Sequence, residues 1–338
     1  MLKINVAVVG ATGVVGQEII KVLEQRKFGV SKIKFLASER SAGRRVSFER
    51  KGYTVEALDN RSFKGVDLAL FSAGSDVSKE FAPIASKSGC LVIDNSSAFR
   101  MDKEVPLMVP EVNPEALKKA KGIIANPNCS TVQMVVVLKP LHDFGQIKRV
   151  IVTTFQAVSG TGADAVVELN EQLKAYCQHK EINPKVYPYQ IALNVFPHID
   201  VFMKDGSTKE EEKMVKETKK ILSHRINVNA TTVRVPVLIG HSESINIETV
   251  KEIKPEKARK LLDKAKSVQV IDDPEENKYP MPLSVSGTDD CYVGRIRRDS
   301  SIKNGLSLWV VADNLRKGAA LNAVQIAELA LEKKLIGN

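Results

Sequence analysis

A chain of 338 residues, 43% hydrophobic and 27% charged, can bury a substantial core, and its length suggests two domains. The net charge of +10 does not make it a nucleic-acid binder, because Lys118, Lys119 and Lys121, Lys219 and Lys220, and Lys333 and Lys334 fall on or beside helix surfaces without interleaved aromatic residues. Four scattered cysteines, Cys90, Cys129, Cys177 and Cys291, form no CxxC pair and argue against a disulfide framework or a metal site, and the first ten residues hold too short an apolar run for a signal peptide or membrane span, so a cytoplasmic protein is expected.

In chain order, residues 4–9 read as a first strand and residues 14–23 as a first helix, with Val15, Ile19, Val22 and Leu23 on one side. Between them stands Gly10-Ala11-Thr12-Gly13-Val14-Val15-Gly16. Glycines in a strand-to-helix turn let backbone N–H groups approach a pyrophosphate, although the GxxGxxG spacing also occurs in turns that bind no nucleotide. A second strand, residues 34–37, runs into Ser38-Glu39-Arg40-Ser41, where such a fold reads the ribose. Glu39 suits the 2′-hydroxyl of NAD; Arg40 flanked by Ser38 and Ser41 suits the 2′-phosphate of NADP and is favoured. Further strands at residues 68–72, 91–94 and 122–125, with a helix at 79–88, complete a Rossmann-type α/β pattern: a parallel sheet with helices on both faces.

A helix from residue 131 follows Asn126-Pro127-Asn128-Cys129-Ser130. Asn128 or Ser130 can cap it, and Ser130 with Gln133 has capping-box spacing. Cys129 therefore lies beside unpaired N–H groups and the positive end of the helix dipole, which favour the nucleophilic thiolate; a structural cysteine beside a cap is the plainer alternative. The pattern then becomes mixed α+β: a strand at 150–156, helices at 163–176 and 209–224, strands at 232–237 and 244–250, and a helix at 255–266. A last helix, residues 319–334, is expected to return to the first domain, giving residues 1–128 with 314–338 as one domain and 129–313 as the other.

A thiol near a nicotinamide site suits thioester chemistry, which needs a base. Of the five histidines, His241 stands out, seven residues after Arg234 in Arg234-Val235-Pro236-Val237-Leu238-Ile239-Gly240-His241. Val233, Val235 and Val237 are expected to face the core, with Arg234 on the other side; a loop histidine with a satisfied ring remains the alternative.

These segments, with Asp94-Asn95-Ser96-Ser97-Ala98-Phe99-Arg100, Val109-Pro110-Glu111-Val112-Asn113, Gln156-Ala157-Val158-Ser159-Gly160 and Val293-Gly294-Arg295-Ile296-Arg297-Arg298, occur in the order found in the aspartate-β-semialdehyde dehydrogenase family, which the chain resembles from Val6 to about Ala327. The resemblance implies reduction of L-4-aspartyl phosphate by NADPH to L-aspartate 4-semialdehyde and phosphate, in a homodimer joined through the second domain. It implies Cys129 as the acyl-thioester nucleophile, His241 as acid/base and Gln156 as the residue holding substrate near the thiol. Arg234 matches the ligand of the substrate α-carboxylate, Glu210 that of its amino group, Arg100 and Lys213 the phosphate ligands, with Asn128 also at the substrate. Gly10, Thr12, Gly13, Val14, Val15, Ser38, Arg40, Ser41, Ser159, Gly160 and Asn314 match the cofactor site. Glu210 has a rival role, since Ser207 and Glu210 have capping-box spacing. Residues 178–205 match no role. An N-acetyl-γ-glutamyl-phosphate reductase fits Asn128-Cys129-Ser130-Thr131 poorly, and a catalytically silent paralogue leaves the Cys129 and His241 pair unexplained.

Overall fold

The computed structural model describes residues 3–336. Its strands follow the burial that the sequence dictates. In the first half these are β1 (Ile4–Val9), β2 (Val30–Ala37), β3 (Arg45–Phe48), β4 (Lys51–Thr54), β5 (Glu56–Ala57), β6 (Leu68–Phe71), β7 (Leu91–Asp94) and β8 (Ile123–Ala125), with helices α1 (Val14–Gln25) and α2 (Ser75–Lys87) between them. Every residue of β6 and β7 is buried, as in a parallel sheet covered on both faces. The sheet is parallel throughout in the order β5-β2-β1-β6-β7-β8. Counted along this sheet alone, that is the dinucleotide-fold order, with its switch point between β1 and β6. The β3–β4 hairpin was not expected; its alternation, Val46 and Phe48 buried between exposed neighbours, is only four residues long.

The chain divides into two units, one comprising residues up to Asn128 together with those from Ala319 onward, the other Cys129–Gly318. In the first unit the final helix, Leu321–Glu332, returns to α1: Ala320, Val324 and Ala327 share a buried cluster with Ile19, Val22 and Leu23, and Arg26 grips Glu328 through two bonds of 2.7 Å. A π-helical turn, Arg316–Ala320, precedes this helix, where one continuous helix from residue 319 was expected.

The second unit holds α3 (Cys129–Gly145), β9 (Ile147–Gln156), α4 (Ala163–Cys177), α5 (Lys209–Ile221), β10 (Asn227–Arg234), β11 (His241–Thr249), α6 (Pro255–Leu262), β12 (Val268–Val270), α7 (Pro282–Val285), β13 (Cys291–Asp299) and β14 (Gly305–Ala312). Its mixed sheet runs β10-β9-β11-β14-β13-β12. The largely buried α3 lies on one face, flanked by α5 and α6. Strand alternation shows which side is covered: Val150, Val152, Thr154 and Gln156 of β9 are buried, whereas Ile151, Thr153 and Phe155 are half-exposed. Phe155 lies against Trp309 on that open side, ring centroids 5.6 Å apart. Among the described residues no helix is long and apolar enough to cross a membrane.

The strand expected at 232–237 is corrected. β10 ends at Arg234, because Pro236 has no N–H to give a ladder, and the buried face carries Thr232 and Arg234 while Val233, Val235 and Val237 are half-buried. The valine alternation pointed to the wrong side.

Candidate active site

In the first unit the glycine turn is built for close approach. Gly10 has φ +82°, and a Cβ there would lie 2.8 Å from the Ser72 backbone; a Cβ on Gly16 would lie 2.1 Å from the Gly10 carbonyl oxygen. Gly13 stands at the cap of α1, which has neither a side-chain cap nor an acidic residue in its first turn, so Thr12, Val14 and Val15 surround a helix start suited to a pyrophosphate. At the end of β2, Ser38, Glu39 and Arg40 are exposed, but Ser41 is buried. The 3-10 turn Glu39–Ser41 follows Ser38, so the two serines expected beside Arg40 differ in exposure, Ser38 standing open and Ser41 tucked in. Arg100 and Asn128 are also in this unit, both buried; Arg100 Nη2 donates to the Asn95 carbonyl at 2.8 Å.

The second unit assembles the polar groups from the ends of three strands and two helices. Helix α3 begins at Cys129 itself, so Asn128 holds the cap position and Ser130 lies within the first turn. No Ser130–Gln133 capping box forms: Gln133 Nε2 instead donates to the His241 carbonyl at 3.2 Å, joining the start of α3 to the start of β11. Cys129 is partly exposed, and Gly318 packs so closely on it that a Cβ there would lie 2.8 Å from the Cys129 Cβ.

His241 is fully buried. Burial first, and the Arg234 guanidinium second, push its ring well below the usual histidine range, with the Gly240 carbonyl acting the other way. The Ala157 N–H donates to Nδ1 at 3.0 Å, which favours the neutral ring with its proton on Nε2. That Nε2 faces Gln156 Nε2 at 3.5 Å. Gln156 in turn donates to Glu210 Oε1 at 3.2 Å and accepts from the Thr154 hydroxyl at 3.0 Å. Arg234 Nη1 donates to the Ala157 carbonyl at 2.5 Å. A Cβ on Gly160 would lie 3.2 Å from Arg234 Nη1 and 3.4 Å from His241 Nε2, so glycine keeps that approach open.

The capping box of α5 is Thr208 with Glu211, not Ser207 with Glu210; the Ser207 hydroxyl is spent on Asp205. Glu210 is thereby released from the cap and turned toward Gln156 and Lys213. Lys213 contacts Asp200 at 2.7 Å and Glu210 at 3.1 Å, and these carboxylates outweigh burial and hold its proton more tightly than usual. Ser159 and Asn314 bond to each other, and Asn314 Oδ1 also accepts the Gly240 N–H at 2.9 Å, tying the turn Val158–Thr161 to the residue before His241. A cavity of about 600 Å³ along α4 and residues 181–186 holds none of these groups; Glu168 there accepts the Lys185 N–H at 2.7 Å and closes a loop.

Family models match both parts of the chain: a semialdehyde dehydrogenase NAD binding domain over residues 5–120 and a semialdehyde dehydrogenase dimerisation domain over residues 138–317. The aspartate-semialdehyde dehydrogenase of Aquifex aeolicus is 60% identical, covering 98% of this chain and 99% of that one. Aspartate semialdehyde dehydrogenase II of Vibrio cholerae, solved in complex with ASA, is 45% identical over 98% of this chain and 99% of its own, with a TM-score of 0.95. The Candida albicans enzyme, solved with NADP, is 26% identical with a TM-score of 0.76, covering 99% and 100% of the two chains. The chain belongs to the aspartate-semialdehyde dehydrogenase family.

Three residues of this aspartate-semialdehyde dehydrogenase fold were not singled out from sequence. Thr154, which orients Gln156, had a readable signal, since it stands two positions earlier on the same strand face. Asp200 sits in the segment without a motif, and only folding brings it to Lys213. Gly318, packed on Cys129, reads in sequence as an ordinary small residue near a helix start.

Proposed function

We propose that the protein reduces L-4-aspartyl phosphate with NADPH, giving L-aspartate 4-semialdehyde and phosphate through a thioester on Cys129, in the cytoplasmic synthesis of lysine through diaminopimelate, threonine, methionine and isoleucine. The observation that carries this is the gathering of Gln156, Glu210, Arg234 and His241 at one end of β9–β11, with the start of α3 joined to His241 through Gln133. Cys129 attacks the acyl carbon, its S–C bond forms and phosphate leaves with the C–O bond electrons. Gly10, Thr12, Gly13, Val14, Val15, Ser38 and Arg40, with Ser159, Gly160 and Asn314, would hold NADPH, which when bound would supply a hydride to the thioester carbon. His241, neutral with its proton on Nε2, would donate that N–H to the oxygen on which charge develops as hydride adds, and expulsion of the Cys129 thiolate releases the aldehyde. Arg234 takes the α-carboxylate, Glu210 the amino group, and Lys213 with Arg100 the phosphate. NADP formation from NADPH, run in reverse as NADP reduction by aspartate semialdehyde in phosphate, tests the reading; no reduction by the wild type overturns it.

NADP rather than NAD is supported by exposed Arg40 at the end of β2 and by the NADP-bound Candida relative. An Arg40→Ala variant is expected to lose at least about tenfold in its kcat/KM preference for NADP over NAD, the worth of a charge-assisted bond. An unchanged ratio removes Arg40 from cofactor selection.

The protein is proposed to form a homodimer through the open face of the second sheet, where Phe155 and Trp309 lie half-exposed within the region matched by the dimerisation model. Trp309→Glu is expected to yield monomers in sedimentation velocity, because a carboxylate is costly to bury at such a face. A variant that keeps the wild-type mass on dilution places the contact elsewhere.

A further inference from the structure

Glu243 stands two residues beyond His241 on the same buried face of β11, opposite Thr154 of β9 and Val310 of β14. It is fully buried, and neither carboxyl oxygen has a hydrogen-bond partner. From α3 the side chain of Gln133 acts on it. Gln133 is also fully buried, its Nε2 is engaged by the His241 carbonyl at 3.2 Å, and its Oε1 likewise has no partner.

Two neighbouring buried side chains thus each present an acceptor with nothing to accept. Native interiors rarely leave such groups unpaired. Thr154 cannot settle the matter, because its hydroxyl proton goes to Gln156 Oε1 at 3.0 Å. A carboxylic acid can: it carries an O–H, and an amide oxygen accepts one. Burial favours that form, pushing the Glu243 carboxyl well above the usual range against a smaller opposing effect of the Gln133 amide. The side chains that face it, Gln133 from α3, Thr154 from β9 and Val310 from β14, carry no charge, and His241 on its own strand is held toward its neutral form.

We propose that Glu243 donates its carboxylic O–H to Gln133 Oε1 and acts as a positioning residue for the reacting pair. The acid fixes the Gln133 amide, and the amide holds the His241 carbonyl. Cys129 and Gln133 are one helical turn apart and share a helix face, so the same bond sets the thiol in register with the imidazole. This rests on the roles proposed above for Cys129 and His241.

The test compares wild type, Glu243→Gln and Glu243→Leu. The Gln variant keeps a donor, and its kcat, KM and pH profile of Cys129 alkylation by iodoacetamide should stay within about twofold to threefold of wild type, as for a site whose geometry is unchanged. The Leu variant should keep its KM, lose on the order of tenfold to a hundredfold in kcat, and shift the pH at which alkylation rises. A Leu variant with wild-type kcat and alkylation overturns the proposal, as does a Gln variant as impaired as Leu. Should the Leu variant not fold, infrared spectroscopy at neutral pH decides: a protonated carboxyl stretch present in wild type and lost in Glu243→Gln supports the acid, and its absence from wild type overturns it. Failure of wild-type turnover alone counts against the proposed function, and the infrared band still reports on Glu243.

Discussion

A Cys129→Ala enzyme is expected to lose turnover by on the order of 10⁵-fold, or below detection, because no other group can carry the acyl chain. Its fold should survive. Alanine keeps the Cβ that packs against Gly318, and the thiol it removes is partly exposed, so the stability change should stay within about 1 kcal/mol. NADP reduction by aspartate semialdehyde in phosphate, with thermal melting in parallel, checks both halves. Comparable turnover in the two proteins would sink the thioester route, whereas loss of activity together with loss of the melting transition would show only that the variant had unfolded.

Arg234 should give the second large effect, and in two separable parts. Arg234→Lys keeps a charge but loses the planar fork, and kcat/KM is expected to fall about tenfold to a hundredfold, the value of one charge-assisted bond. Arg234→Gln removes the charge as well and should fall further, toward about 10³-fold. The pH dependence separates them. His241 is depressed first by burial and second by the Arg234 guanidinium, so its ring stays neutral until the pH drops well below the usual histidine value of about 6.5, and an acid limb caused by its protonation lies there. Removing the guanidinium lets the ring take a proton at higher pH. The acid limb of kcat should therefore move up in Arg234→Gln and stay in place in Arg234→Lys; identical limbs in all three proteins refute the coupling. The same depressed ring makes stability pH-dependent in a fixed sense. Its contribution is present above about 6.5 and is lost as the pH falls through the folded-state value, since the unfolded chain binds the proton first.

The glycine turn, the buried strands of the first sheet and the helix after Cys129 were legible because each is a local matter of backbone freedom or apolar period. Gly10 and Gly16 announce close approaches that the structure then shows. Side choice was less legible. Val233, Val235 and Val237 suggested one buried face, but the packing of α5 and the interruption at Pro236 bury Thr232 and Arg234 instead. Capping misled by one residue in α5, where Ser207-Glu210 and Thr208-Glu211 have the same spacing and only the geometry chooses between them. The partners of Lys213 were half hidden: Glu210 is one helical turn away, whereas Asp200 arrives from a segment with no period at all.

The path of the chain through its two units has a consequence for how it is made. Helix α1 is complete by Gln25, yet one flank of it is covered by Leu321–Glu332, the last helix among the described residues. During synthesis the parallel sheet must wait, its α1 flank bare, while Cys129–Gly318 emerges with all six strands of its own sheet already in hand. Domains usually mature from the N-terminus as the ribosome delivers them. Here the order is inverted: the unit begun first is the last to close, and a ribosome that stalls before Leu321 leaves a finished second unit joined to an open first one.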